Sequence, residues 1–175
     1  MTMQFQEREL LFDFQGCLSA EKLDRKGVPL PDGMCFVDFV LEEACLKLLI
    51  EVKDPSEGSV PQNQKGKFTQ KLTGSQLIDQ KLVPKCRDSY CFLHLMEQDT
   101  KPFLYIVVLG TSALPTVGPG ELTEFKNKLL SRLRKESGLP WKRLYVKDCV
   151  VVTEDTWKRH FPSYSLRRVP TPSAK

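Results

Sequence analysis

Apolar positions along the chain fall into two kinds of pattern. Residues 35–41 (Cys-Phe-Val-Asp-Phe-Val-Leu) and 48–52 (Leu-Leu-Ile-Glu-Val) are short runs rich in β-branched and aromatic residues, which favour strands. A turn between Glu42 and Lys47 folds them into a hairpin over 34–54. Residues 103–109 form a continuous apolar run between Lys101-Pro102 and Gly110, the mark of a buried central strand, and 145–153 give a further strand. The helical period is clearest over 119–136, with Phe125, Leu129, Leu130 and Leu133 as its stripe and Gly138 as its stop.

Weaker helical patches occupy 66–83, with Phe68, Leu72 and Leu77 on one face, and 87–98, through Tyr90, Leu93, His94 and Glu97. A short helical turn is predicted at 154–160, and a short helix over 19–24 with Ser19 as N-cap and Gly27 as its end. Residues 8–15 fit a strand and a first helix equally. The Pro-, Gly-, Ser- and Gln-rich segment 54–65 reads as a mobile loop. The order hairpin, helix, strand, helix, strand predicts an α/β fold: a single domain over 1–169 with a mixed central sheet flanked by helices, and a disordered tail at 170–175. No internal repeat or long linker divides the chain.

Composition narrows the class. The chain has 175 residues, of which 41% are hydrophobic and 27% charged, as in one ordinary globular domain. Its longest apolar stretches are about five to eight residues against the roughly twenty that span a bilayer, so no membrane partner is expected. The N-terminus Met-Thr-Met-Gln-Phe-Gln-Glu-Arg carries no apolar signal core, and a cytoplasmic location is expected. The six cysteines (Cys17, Cys35, Cys45, Cys86, Cys91, Cys149) include no Cys-x-x-Cys and read as reduced core residues. His94 and His160 are too far apart to suggest a metal knuckle.

Charges occur where an apolar hairpin has no packing use for them. Side chains on a strand alternate between faces, so Glu51 and Lys53 share one side while Ile50, Val52 and Asp54 take the other. Asp38 lies midway along the first apolar run, and pairing of the two runs brings it beside Glu51. Buried charges cost free energy unless paired, solvated or metal-bound. Two carboxylates meeting at a strand end are a minimal ligand set for a hard divalent cation such as Mg²⁺.

This arrangement resembles the core of the PD-(D/E)xK phosphodiesterase superfamily, the restriction-endonuclease-like nucleases that include archaeal Holliday-junction resolvases. In that family an Asp on one strand precedes a Glu-x-Lys on the next. Asp38, Glu51, Lys53 and the run Leu-Ile-Glu-Val-Lys carry the match, which covers residues 30–55. A second registration takes Pro31-Asp32 as the first acidic position and ranks lower, because Pro31-Asp32-Gly33 reads as a turn. The resemblance implies a restriction-endonuclease-like core with Asp38, Glu51 and Lys53 as catalytic residues. It also implies Mg²⁺ (or Mn²⁺) held by Asp38, Glu51 and the backbone carbonyl of Val52. The implied partner is nucleic acid, DNA before RNA, and a homodimer fits enzymes that cut two strands. The family's further acid precedes the first strand on a helix, and both Glu9 and Glu21 are open choices for it.

Charge distribution bears on the partner. From Gly120 onward the chain holds 13 Lys and Arg against 6 Asp and Glu. Lys126, Lys128, Arg132, Arg134 and Lys135 decorate the 119–136 helix, but Glu121, Glu124 and Glu136 dilute them, and the face reads as solvated. Lys158, Arg159, Arg167 and Arg168 surround Trp157, Phe161 and Tyr164. The basic groups there suit phosphate contacts and the aromatics suit base stacking; packing of the aromatics into the core accounts for them equally well. The functional expectation is a metal-dependent nuclease. The alternatives are a non-catalytic binding or assembly protein with a nuclease-like fold, and an interaction protein whose Glu51–Lys53 pair is a surface ion pair.

Overall fold

A computed structural model of the protein describes residues 3–25, 33–114, 118–136 and 139–169. Pro31-Asp32, Gly27, Gly138 and the tail at 170–175 lie outside the described residues. The elements run β1 (Gln4–Glu7), β2 (Leu10–Asp13), β3 (Ser19–Lys22), β4 (Phe39–Glu42), β5 (Lys47–Lys53), α1 (Gln62–Thr73), α2 (Val83–Leu95), β6 (Phe103–Leu109), α3 (Pro119–Arg134), β7 (Asp148–Thr153), α4 (Glu154–His160) and β8 (Ser165–Arg168). A π-helical turn, Ile78–Leu82, leads into α2.

The expected hairpin forms the centre of the fold. β4 and β5 pair antiparallel, with Phe39 opposite Ile50 and Glu42 opposite Lys47. β6 then joins β5 in parallel and β7 joins β6, giving a mixed sheet in the order β3-β4-β5-β6-β7. Parallel neighbours need long crossovers, and these are supplied by α1 with α2, and by α3. β5 and β6 are buried on both faces, which is why they read as unbroken apolar runs rather than alternating ones.

Alternate residues of these strands feed two cores. Leu49, Tyr105, Val107 and Leu109 pack against the helical layer through Leu72, Ile78, Leu82, Phe125, Leu129 and Leu133. Leu48, Ile50, Val52, Ile106 and Val108 face the other way, onto Leu10, Phe12 and Phe14 and onto Trp157 and Tyr164. That second face is covered by an antiparallel sheet, β1-β2-β8, together with α4. Helices therefore flank the mixed sheet chiefly on one side. Among the described residues no helix is long and apolar enough to cross a membrane.

Several local expectations need correcting. Residues 19–22 are a strand, because pairing with β4 (Ser19 opposite Glu42, Lys22 opposite Phe39) outweighs the helical pattern of so short a segment. Residues 10–13 are also a strand, with Leu10 and Phe12 buried and their neighbours only partly so. Helix α2 starts at Val83 and stops at Leu95, and β7 starts at Asp148. The segment after β5 is not a free loop. Asp54, Pro55 and Ser56 are buried, Ser56 Oγ accepts the Ala113 N–H at 2.9 Å, and helix α1 begins at Gln62. Trp157 and Tyr164 are core residues, which excludes them from stacking on exposed bases. All six cysteines are free, but only Cys86 and Cys149 are buried.

Candidate functional site

Asp38 and Glu51 converge, as the hairpin requires, although Asp38 sits at the bend just before β4 rather than within a strand. The bend has a consequence for β5. Beyond Phe39–Ile50 the β4 side offers no further partner, and the Val52 N–H donates instead to Asp38 Oδ2 at 2.7 Å. Helix α2 holds the approach to the bend: Asp88 accepts the Cys35 N–H at 3.0 Å and Ser89 Oγ accepts the Val37 N–H at 2.9 Å. These two backbone donors would otherwise be lost between strand and helix, so the residues that satisfy them also locate Asp38.

Glu51 is fully buried and Asp38 nearly so. Lys53 lies one pleat along β5 and pairs with Glu51 Oε1. Glu51 is buried and only Lys53 is partly exposed, so the Glu51–Lys53 contact is not the surface ion pair of the third expectation. A fourth charged group, Lys85, completes the cluster: its Nζ is 3.0 Å from Glu51 Oε2, 3.9 Å from Asp38 Oδ1 and 3.4 Å from Asp24 Oδ2. The Lys85 ammonium is the ion-pair partner of Glu51 Oε2, as Lys53 is of Oε1.

Lys85 lies in an irregular stretch of helix. Pro84, near the start of α2, lacks an N–H and cannot continue a regular ladder, and the π-helical turn of Ile78–Leu82 precedes it. The Leu82 carbonyl accepts the Tyr105 hydroxyl at 3.0 Å, tying this turn to β6. Lys85 is flanked by the buried Val83 and Cys86. A lysine inside that apolar setting was the available signal for this residue, which lies between the two predicted helical patches, 66–83 and 87–98.

The electrostatics follow from burial. Loss of water and repulsion by Glu51 push the Asp38 carboxyl up to about 7, against the smaller opposing pull of Lys85 and the Val52 N–H. Burial disfavours the charge on Lys85, but Glu51 and Asp38, with Asp24 behind them, hold its ammonium above the ordinary lysine range. Among the described residues no group of three or more His, Cys, Asp or Glu forms a metal-binding set. Neither Glu9 nor Glu21 joins Asp38 and Glu51: Glu9 bonds Arg168, and Glu21 pairs with Arg25 at 3.4 Å.

Arg168 has a structural position instead of the expected phosphate contact. Its guanidinium makes two bonds to Asp54, at 2.9 and 3.0 Å, and reaches Glu9 at 3.1 Å and Glu154 at 2.9 Å. With its donors committed to three carboxylates, little of it is left for a ligand. The cluster ties β8 to the residue that follows Lys53. Gly110 makes room for it, since a Cβ there would meet Asp54 Oδ1 at 2.2 Å. Arg167, Lys158 and Arg159 are exposed and remain accessible. Arg168→Met should cost about 2 kcal/mol, toward the lower side for an unpaired buried carboxylate because Arg168 is partly exposed. Urea unfolding measures this, and a loss below a few tenths would show that Asp54 finds another partner.

Comparison of the chain with protein-family models, curated proteins and solved structures gave no match.

Proposed function

We propose that this protein is a divalent-metal-dependent phosphodiesterase of the PD-(D/E)xK type acting on nucleic acid. The reading rests on one observation: a fully buried Glu51 and a nearly buried Asp38 face the same lysine, with Lys53 beside Glu51. The order of elements after the hairpin, helix, strand, helix and strand, agrees with the one that the sequence resemblance implies.

The donors suit Mg²⁺ or Mn²⁺, which commonly take one or two carboxylates and leave other positions to water and phosphate. Asp38 and Glu51 would hold the ion, with the Val52 carbonyl as a further oxygen. When bound, it supplies charge neutralisation at the scissile phosphate and a more acidic water. Lys53, partly exposed beside Glu51, orients the attacking water and offsets developing negative charge. Lys85 balances the carboxylates in the absence of an ion and has Asp24 as another partner. The bonds from Asp88 and Ser89 keep Asp38 in place.

Lys85 also supports a second reading, in which two lysines neutralise two carboxylates and the cluster is purely structural within a non-catalytic binding protein. Titration with Mg²⁺ or Mn²⁺ separates the two. The hydrolytic reading expects the melting temperature to rise by mass action on the folded state, and nucleic acid to be cleaved, with Ca²⁺ a poor substitute. Asp38→Asn combined with Glu51→Gln should abolish both effects. An unchanged melting curve at tens of millimolar metal, with no cleavage, would establish the structural cluster instead.

A further inference from the structure

A cationic surface lies on α1, outside the basic C-terminal third of the chain. Helix α1 carries Lys65, Lys67 and Lys71 and no acidic residue. Gln64, Lys67, Phe68 and Lys71 follow one another at helical spacing and line a cleft of about 410 Å³, whose opposite wall includes Arg8 and Lys53. Lys53 belongs to both places: it pairs with Glu51 below and borders the cleft above.

Two acids stand near the cleft, and both are ion-paired. Asp54 is buried and bonded twice by Arg168, and Glu57 is paired with Arg8. Lys67 and Lys71 are exposed, and among the described residues neither forms an ion pair. Like charges at i and i+4 slightly destabilise a helix, so Lys67 and Lys71 gain nothing from each other, whereas Phe68 between them packs against the core. The charge of this face suits a phosphate backbone.

We infer that the α1 cleft binds a phosphodiester strand and leads it to Lys53. The identity of the strand as nucleic acid rests on the hydrolytic reading; the cationic cleft itself does not. The test is fluorescence anisotropy of a labelled single-stranded oligonucleotide of mixed sequence, in EDTA to prevent hydrolysis, over a series of salt concentrations. Lys67→Gln with Lys71→Gln should weaken binding about tenfold or more at low salt and flatten the salt dependence by roughly 1 to 1.5 in slope. The melting temperature should stay unchanged, because both lysines are exposed. Arg134→Gln with Lys135→Gln removes the same charge at the solvated end of α3 and should alter affinity little.

Equal losses from the two pairs would show diffuse attraction and overturn the assignment, as would absence of binding by the wild type at low salt. Binding through α1 without cleavage in metal supports the cleft and overturns the hydrolytic reading. Cleavage by a double α1 variant that binds as tightly as wild type supports hydrolysis and overturns the cleft.

Discussion

Replacing Lys53 with alanine is expected to lower cleavage by about 10²-fold or more, the scale on which removal of one transition-state-stabilising group acts. The effect should fall on turnover, because Lys53 stands beside Glu51 at the edge where the cleft meets the carboxylates, while Lys67 and Lys71 supply attraction farther along. The metal-induced rise in melting temperature should persist, since Asp38 and Glu51 are untouched. Lys85 still faces Glu51 in this variant, so the carboxylate is not left without a counter-charge. Single-turnover cleavage of saturating substrate measures the loss directly. A Lys53→Ala protein that cuts as fast as wild type would assign the activity to other residues or to a contaminant.

The second expectation is a pH dependence of stability without metal. The folded protein retains the Asp38 proton up to about pH 7, whereas an unfolded chain releases it near the ordinary value of 3.8. Between these values the folded state binds more protons. The contribution is therefore fully present below the unfolded value and is lost as pH rises through the folded one. From pH 5 to pH 8 the loss is on the order of 3 kcal/mol, at 1.36 kcal/mol per unit over roughly two units.

Asp38→Asn should remove most of this fall while its side-chain oxygen still accepts the Val52 N–H. Urea unfolding in EDTA at pH 5 and pH 8, for wild type and variant together, measures the difference. Parallel falls in the two proteins would place the titrating group elsewhere. Mg²⁺ at pH 8 should restore wild-type stability and leave the variant much less affected, because the ion favours the ionised pair that burial disfavours.

Much of the frame was legible in local pattern. The run 103–109 coincides with β6, and the stripe Phe125, Leu129 and Leu133 is the buried face of α3. The apolar runs around Glu42 to Lys47 gave the central hairpin, and the placement of Glu51 and Lys53 on one side of β5 followed from strand alternation alone. These features depend on a period of two or 3.6 residues, which the chain carries in its own order.

Other features arise only when distant segments meet. β3 is a strand because β4 is available to pair with it. Lys85 meets the carboxylates of the hairpin only when α2 packs on the sheet, and Arg168 is consumed by Asp54, 114 residues away in the chain. Likewise α1 displayed its lysines in sequence, but only the crossover from β5 to β6 sets them beside Lys53. Sequence alone determined the strands and helices whose buried faces repeat locally. Tertiary structure decided which charges are neutralised and which remain exposed, because electrostatic partners are set by distance in space and burial rather than by separation along the chain.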